Sequence, residues 1–443
     1  MGEEDRELES AQPLDPSIER GMFLPRLSRR DLLKYAGMGA GAIGLSAFLE
    51  ACGVKGAAVS QTTGPTATPS SGPGSATWWS QQTLHNQVNF ANWPYYLDVY
   101  KGHHPSLDYF TQQTGIKVKY TEPINDNIPF YTKIRPSLQA KQPTGYDIIV
   151  MTNNSPALGF LMSFGWLIAL DQKAMPTFYA NAGPLVKNPA WDPGNKYTMA
   201  WQSGWTAMAY NSSVIKTPIT SVQSFFDPQY KGRIAMPEDP QELGSIGLLA
   251  IGVEPAKSTP ADWQKAAQKL QEQKPLVRKY YDQSYITALK NGDTVLSWCW
   301  SGDIFQANLN SKYKDLKLVF AKEGAMFWTD NMCIPQGAEN PKDAMTLMDF
   351  YFKPDVQAVV EYYNDYVCPV PAAKDVLLHP TGWAQETLKK MEPSIGLPPS
   401  VTADAPTVFP TPEVISISRP YYEYKNQDEL TQWNNLFVPI TQS

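Results

Sequence analysis

Short apolar runs, separated by longer segments with helical spacing, follow one another along the chain from about residue 84. Runs of this length and composition are typical of buried strands. We predict strands at 87–92, 116–120, 147–152, 208–211, 233–236, 294–300 and 316–320. Helical spacing predicts helices at 106–114, 132–141, 260–273 and 341–352. This alternation predicts an α/β fold with mainly parallel sheets, in which ligands bind at the carboxyl ends of strands.

The first fifty residues follow a different pattern. Two arginines, Arg29 and Arg30, precede an apolar run from Tyr35 to Phe48, which is shorter than the ~20 residues of a membrane-spanning helix. This order is typical of a twin-arginine export signal. The four residues that end in Cys52 resemble a lipobox, the sequence at which bacterial lipoproteins are acylated and cleaved.

We therefore predict a twin-arginine signal peptide over residues 1–52 and a lipid anchor on Cys52. This export would leave the mature protein in the periplasm or at the cell surface, anchored to the cytoplasmic membrane. The alternative is an N-terminal membrane anchor that is never cleaved. Residues 53–83 are rich in Gly, Ala, Ser, Thr and Pro, which predicts a flexible tether between the anchor and the body.

Composition narrows the class of ligand. The body from residue 84 to residue 443 is long enough for two domains of ordinary size. The chain has 37 Lys and Arg against 43 Asp and Glu, and the part after Cys52 remains mildly acidic. This balance argues against nucleic acid as a partner and suits a cationic ligand.

Metal binding and nucleophilic catalysis have little support in the sequence. No two Cys or His residues have the spacing of metal ligands, and no HExxH, phosphate-binding loop or GxSxG motif occurs. Besides Cys52, the cysteines are Cys299, Cys333 and Cys368, which allow at most one disulfide within the chain. We therefore expect no cofactor, no metal site and no catalytic residue.

Aromatic side chains are abundant, and several stand at the ends of predicted strands. The chain contains 13 Trp and 23 Tyr. Trp93 and Tyr96 follow the first predicted strand, Trp300 closes another, and Trp328 lies shortly before Asp330. Because ligands of parallel sheets bind at strand ends, we expect these rings to line a ligand site. Each ring taken alone is more typical of a half-buried packing residue.

Four short motifs share the pattern of one family. Phe90-Ala91-Asn92-Trp93-Pro94-Tyr95-Tyr96 matches Y-N-W-x-x-Y, with Ala91 in place of the first Tyr. The others are Phe110 to Val118 for F-x-x-x-T-G-I-x-V, Tyr146 to Val150 for Y-D-x-x-V, and Pro228 to Gly232 for P-x-Y-K-G. Over about 88–371, the chain resembles the spermidine/putrescine-binding proteins, which are extracytoplasmic receptors of polyamine ABC importers.

The resemblance implies a two-lobe, hinged α/β fold of the periplasmic-binding-protein type (type II), with the ligand in the cleft between the lobes. Lobe 1 would comprise 84–203 and 330–373, and lobe 2 would comprise 208–325 and 374–443. Crossovers near 204–207 and 327–330, with a third after Pro371, would form the hinge. Closure around the ligand is typical of such receptors, and the membrane permease would recognise the closed form.

The resemblance also implies acids that bind ammonium groups. Asp239 and Glu242 fall on the family's ammonium-binding acids, although Asp239, Pro240 and Glu242 would equally cap a helix. Phe327-Trp328-Thr329-Asp330 matches the family's F-W-x-D, in which the Trp stacks on the ligand and the Asp binds an amine. Carboxylates form charge-assisted hydrogen bonds with ammonium groups, and aromatic faces attract them.

The remaining site residues follow the same pattern or depart from it. Trp300 would be a second aromatic wall, and Trp93 and Tyr96 would face it from the other lobe. Thr152 takes the place of a family Ser, and Asn154 that of an aromatic residue. The other departures are Asp282, which falls near a family Ser, Asp303, where a small or polar residue is usual, and Cys368, near a family Tyr. More acids and fewer rings indicate a changed ligand, such as a shorter or more highly charged polyamine.

The sequence thus predicts a monomeric receptor that binds a spermidine- or putrescine-like polyamine and delivers it to an ABC permease. A receptor for ferric iron, an amino acid or a sugar is one alternative, with Tyr280 and Tyr281 as an iron-binding pair. An extracellular glycoside hydrolase using two cleft carboxylates is another, and a structural surface lipoprotein is a third. Residues 421–443 have no counterpart that we could align with the family.

Overall fold

A computed structural model describes residues 72–282, 284–309 and 313–442. The strands are β1 (Gln87–Ala91), β2 (Lys117–Thr121), β3 (Ile148–Thr152), β4 (Thr198–Asn211), β5 (Ile234–Pro237), β6 (Val277–Tyr281), β7 (Leu296–Trp300), β8 (Leu316–Val319), β9 (Ala325–Cys333) and β10 (Ser418–Pro420). The predicted signal peptide and Cys52 lie outside the described residues.

The described helices number sixteen, and nine of them begin with Pro, whose fixed φ suits the first helical position. They are α1 (Ala76–Ser80), α2 (Pro105–Thr114), α3 (Asn127–Gln139), α4 (Pro156–Ser163), α5 (Pro176–Asn181), α6 (Pro240–Ala250), α7 (Pro260–Gln273), α8 (Tyr285–Asn291), α9 (Ser301–Leu309), α10 (Pro341–Phe350), α11 (Pro354–Asn364), α12 (Ala373–Leu378), α13 (Gly382–Ile395), α14 (Pro399–Asp404), α15 (Pro412–Ile417) and α16 (Gln427–Thr441). Within the described ranges, none is both long and apolar enough to cross a bilayer.

One sheet runs through the whole body. Its strands follow the order β2-β1-β3-β9-β4-β7-β5-β6, with β8 paired to β4 and β10 paired to β9. The outer strands pair in parallel, whereas β4 is antiparallel to β7 and β9. The prediction of mainly parallel sheets is therefore wrong in the centre, where two long strands run in opposite directions.

These two long strands join the two halves of the molecule. β4 and β9 pair from Thr198 opposite Cys333 to Thr206 opposite Met326, with a register shift between Ala200 and Gln202. At one end β9 pairs with β3, and at the other it pairs with β10. The two crossovers predicted near 204–207 and 327–330 lie inside this strand pair.

Two large hydrophobic clusters lie at opposite ends of the strand pair. The first core contains Phe90, Phe110 and Trp201, and the second core contains Trp263 and Trp433. Smaller clusters cover the other faces of the second half and of the central strands. Each half of the chain therefore has a core of its own, as expected for two lobes.

Two predicted boundaries need correction. The sequence predicts that lobe 2 includes residues 374–443. Leu388 and Val408 are instead buried in the first core, because α12 to α14 pack beside α11. Residues 72–83 were assigned to the tether, but α1 is anchored by Trp79, which is buried and donates its indole N–H to the Ala169 carbonyl (2.9 Å). Burial of this ring fixes the segment on the first core.

Candidate functional site

A buried carboxylate from the central strands lies between the two cores. Asp330 of β9 is only 2% exposed. The Tyr96 hydroxyl donates to its Oδ2 (2.6 Å), and the Thr152 hydroxyl donates to its Oδ1 (2.5 Å). The Asn127 amide in turn donates to Thr152 Oγ1 (2.9 Å). Three residues predicted to form the site, from separate segments of the chain, are thus in direct contact.

Four aromatic rings, which we call the aromatic box, stand beside this carboxylate. The centroids of Trp93 and Tyr96 are 6.5 Å apart, those of Tyr96 and Tyr366 are 5.1 Å apart, and those of Tyr366 and Trp328 are 5.6 Å apart. Trp328 and Asp330 lie on the same face of β9, because alternate residues of a strand share a face. The indole N–H groups of Trp93 and Trp328 are buried without a hydrogen-bond acceptor among the described residues.

A glycine makes room for one of these rings. Gly204 lies opposite Trp328 in the strand pair, and a Cβ at this position would lie 2.5 Å from Trp328 Cζ2. Any side chain at position 204 would therefore push the indole out of the aromatic box, because real Cβ contacts are never this short.

We expect Gly204→Ala to weaken ligand binding by about tenfold, the equivalent of about 1.4 kcal/mol, because it displaces Trp328. Isothermal titration would measure the loss. Gly302→Ala is the matched control, since its Cβ would meet the Tyr366 ring at an ordinary 3.5 Å. Equal affinity for the two variants would show that Trp328 has no part in binding.

The second half contributes a linked group around the end of β7. Trp300 is partly exposed, and its backbone N–H donates to the Tyr285 hydroxyl (3.0 Å). That hydroxyl donates to the carboxylate of Asp303 in the first turn of α9. Burial and the neighbouring Asp303 raise the pKa of Tyr285 well above its ordinary value. Tyr285 therefore holds Trp300 and Asp303 together at the edge of the cleft.

Glu242 accepts hydrogen bonds from three side chains of the protein. Thr206 (2.8 Å) and Tyr421 (2.5 Å) donate hydroxyls to its Oε1, and the Trp298 indole donates to its Oε2 (3.0 Å). Burial raises the pKa of Glu242 to about 7, partly offset by the Tyr421 hydrogen bond. This carboxyl is enclosed by protein groups and is 7% exposed.

The other two predicted acids are exposed. Asp239 is the N-cap of α6 and accepts the backbone N–H groups of Gln241 (2.8 Å) and Glu242 (2.9 Å). Asp282 accepts the backbone N–H of Ser284 (2.9 Å) in its own loop. Both carboxylates therefore cap backbone N–H groups close to them in the chain, a role that the sequence predicted for Asp239.

The buried charged side chains have one sign. Among the described residues, every Lys and Arg has some exposure, and the buried charged side chains are all Asp or Glu. Four of these acids lie near the strand pair or the cleft: Glu242, Asp330, Glu361 and Asp365. Glu361 is fully buried beside Gln202 and its pKa is raised well above the ordinary value by burial. The interior therefore suits a cation rather than an anion.

A hydrogen bond between the two halves lies beside the aromatic box. Gln306 of α9 donates to Asp365 Oδ2 (2.9 Å), and Thr402 donates to Asp365 Oδ1 (3.0 Å). Tyr366, the next residue, faces Gly302 at the start of α9. Burial raises the pKa of Asp365 to about 7, while the two side-chain hydrogen bonds lower it.

This raised pKa predicts a pH dependence of stability. The folded state binds the Asp365 proton more tightly than the unfolded chain, so this stabilisation is present at low pH and is lost as pH rises from about 4 to about 7. The slope is up to about 1.4 kcal/mol per pH unit. Urea unfolding of the wild type and Asp365→Asn across this range should give a shallower slope for the variant.

Asn tolerates the left-handed backbone of residue 365, whose φ is 57°, so the Asp365→Asn variant should fold. Asp404→Asn, on the neighbouring helix α14 and exposed, is the control. Identical pH slopes for Asp365→Asn and the wild type would mean that Asp365 is ionised throughout.

Three tyrosines of the site were missed in the sequence analysis. Tyr366 joins the aromatic box only two residues before Cys368, the position near the family's Tyr, and that spacing was the available signal. Tyr285 and Tyr421 act by donating to acids, and no local pattern marks them. Cys368 itself is buried, and its thiol donates to the Val370 carbonyl (3.1 Å).

The ferric-iron alternative lacks support in the structure. Tyr280 and Tyr281 are adjacent in β6, so their rings point to opposite faces of the sheet, and they pack against different clusters. They cannot bind one ferric ion together. In the described ranges no group of three or more His, Cys, Asp or Glu could bind a metal, and Cys299, Cys333 and Cys368 are buried and free.

Two cores joined by paired central strands, with an acid and aromatic rings between them, define a solute-binding receptor of the periplasmic-binding-protein class. The family model for bacterial extracellular solute-binding proteins matches residues 106–390. The chain belongs to this family.

Known proteins are similar to this chain in sequence, and solved structures are similar to it in fold. The spermidine/putrescine-binding periplasmic protein of Salmonella typhimurium is 29% identical over 66% of this chain and 80% of its own. The putrescine-binding periplasmic protein SpuD of Pseudomonas aeruginosa is 25% identical over 72% and 89%. The substrate-binding protein PotD of Streptococcus pneumoniae, 22% identical, has the same fold with a TM-score of 0.66, covering 80% of this chain and 98% of its own. The Tp0655 lipoprotein of Treponema pallidum, 16% identical, covers 80% and 99% with a TM-score of 0.64.

Proposed function

We propose that this protein is the receptor of an ABC importer for a polyamine such as putrescine or spermidine. The observation that carries the proposal is Asp330, a buried carboxylate that accepts two hydroxyl hydrogen bonds and is flanked by the aromatic box. An alkyl ammonium matches this site, since the carboxylate binds its N–H groups and the rings attract its charge and cover its methylenes. The named relatives bind spermidine or putrescine.

We propose separate roles for the residues of the cleft. Asp330 binds one ammonium, Trp93, Tyr96, Trp328 and Tyr366 enclose the carbon chain, and Trp300 with Asp303 closes the cleft from the second half. Thr152 positions Asp330 rather than touching the ligand. Asp239 and Asp282 are exposed caps, and we assign them at most a long-range electrostatic attraction for the amine.

The two lobes would be 72–203 with 330–408, and 208–325 with 418–442, hinged at β4 and β9. Closure of such lobes around a ligand is a known form of conformational change, and a permease that binds only the closed form would couple binding to transport. We further propose export by the twin-arginine route, a lipid anchor on Cys52 and a monomeric mature protein in the periplasm or at the cell surface.

The test is thermal melting of the mature protein, residues 53–443, with putrescine, spermidine, spermine, amino acids and sugars. A ligand that binds only the folded state raises the melting temperature once its concentration exceeds its Kd. A rise with polyamines alone would support the proposal. A rise with a sugar or an amino acid and with no polyamine would leave the receptor class in place and refute the amine assignment.

A further inference from the structure

The family match ends at residue 390, and the chain returns to the second half after Val408, the last residue buried in the first core. β10 pairs in parallel with the start of β9, and α16 packs on α6 and α7 through Trp433 and Phe437. Tyr421 follows β10 directly and is 3% exposed. The tertiary packing therefore fixes a tyrosine from outside the matched region beside the cleft.

The hydroxyl of this tyrosine is bound to Glu242. Tyr421 donates to Glu242 Oε1 (2.5 Å), and its oxygen is 3.1 Å from the Thr206 hydroxyl, which donates to the same Oε1 (2.8 Å). Each carboxylate oxygen has two acceptor positions, so both positions of Oε1 are occupied. Trp298 takes one position of Oε2, and Glu242 is almost fully buried.

Asp330 and the Thr206 hydroxyl that contacts Glu242 lie at different positions along the central strands. In the central strands Asp330 is opposite Gln202, and Trp300 is opposite Thr206, whose hydroxyl contacts Glu242. Four residues of extended strand span roughly 13 Å. A four-carbon diamine is much shorter than this separation, whereas the terminal nitrogens of an extended triamine can approach it.

We propose that Tyr421 determines the chain length of the amine that this receptor selects, an inference that rests on the proposed function. Its hydroxyl occupies the position on Glu242 that the distal ammonium of a long polyamine needs. A triamine that binds Asp330 then buries its far ammonium against a carboxyl with a single acceptor position left, on Oε2, and an ammonium buried without its full set of hydrogen bonds weakens binding. The site therefore favours short diamines such as putrescine over spermidine.

The test compares the ratio of the spermidine and putrescine affinities in the wild type, Tyr421→Phe and Tyr422→Phe, by isothermal titration. Tyr421→Phe retains the ring and removes only the donor, so we expect the ratio to move toward spermidine by about tenfold or more. Tyr422→Phe is the matched control, because the Tyr422 hydroxyl donates to Glu429 (2.8 Å), away from Glu242. Its ratio should equal that of the wild type.

A second comparison links the effect to Glu242. The double variant Tyr421→Phe with Glu242→Gln should lose the gain for spermidine, because no carboxylate remains to bind the distal ammonium. An unchanged ratio in Tyr421→Phe, with diamine binding retained in every variant, would overturn the role of Tyr421 alone. Absence of binding of any polyamine to the wild type would overturn the proposed function and this inference together.

Discussion

Replacing Asp330 by Asn is expected to reduce the affinity for putrescine by about 100-fold. Removing one partner of a buried, hydrogen-bonded charge pair costs about 2–5 kcal/mol, and Asp330 is the buried carboxylate inside the aromatic box. Asn has nearly the same shape, and its carbonyl oxygen can still accept a hydroxyl from Tyr96 or Thr152. Isothermal titration with putrescine measures the loss.

The control for this prediction is Asp282→Asn, the same change at an exposed acid that caps its own loop. It should leave the affinity within about twofold of the wild type, because an exposed charge contributes little to binding after screening by solvent and salt. Melting of Asp330→Asn without ligand checks that the fold survives. Unchanged putrescine binding in a folded Asp330→Asn protein would mean that Asp330 only joins Tyr96 to Thr152.

Replacing Gly244 by Ala is expected to destabilise the second half by about 3 kcal/mol. Gly244 lies in the middle of α6, where a Cβ would overlap the indole ring of Trp433 on α16 and lie 2.9 Å from Phe437. Both rings are fully buried, so they can yield only by moving α16. Urea unfolding followed by tryptophan fluorescence measures the change in the free energy of unfolding.

The matched control is Gly159→Ala, the same substitution inside α4. Gly159 is exposed, and its Cβ would have no atom of another residue within 4 Å. This variant should gain up to about 1 kcal/mol, because Ala is the better helix former. A stable Gly244→Ala protein would show that α16 is loosely docked, and Tyr421 would then lack its fixed position beside Glu242.

Local patterns predicted the elements that are uniformly apolar. β3 and β7 were predicted to within two residues, because each is a run of buried side chains. β9 was not predicted as a strand, since Thr329, Asp330 and Asn331 are polar although fully buried. Their side chains satisfy one another and the neighbouring strands, as in the 2.9 Å contact of Thr329 with Ser203. That compensation comes from chain segments far away in sequence.

For the site as well, the sequence motifs predicted some residues and the tertiary contacts decided the role of others. Trp93, Tyr96, Trp328 and Asp330 belong to short motifs, from which their role in binding an amine is a prediction, and the structure brings these side chains into one group. The motif containing Asp239 and Glu242 allowed two interpretations, a helix cap or an amine site. For Asp239 the structure shows the cap, because the N–H groups of the first helical turn need an acceptor.

The sequence by itself determined the α/β class of this protein and predicted, from its excess of acids and its aromatic residues at strand ends, a site suited to a cation. Only the tertiary structure decided which acids a ligand can reach. Tyr421 is 179 residues from Glu242 in the chain and in contact with it in the fold. The availability of a carboxylate depends on the donors that packing brings to it, and no local pattern of residues contains that information.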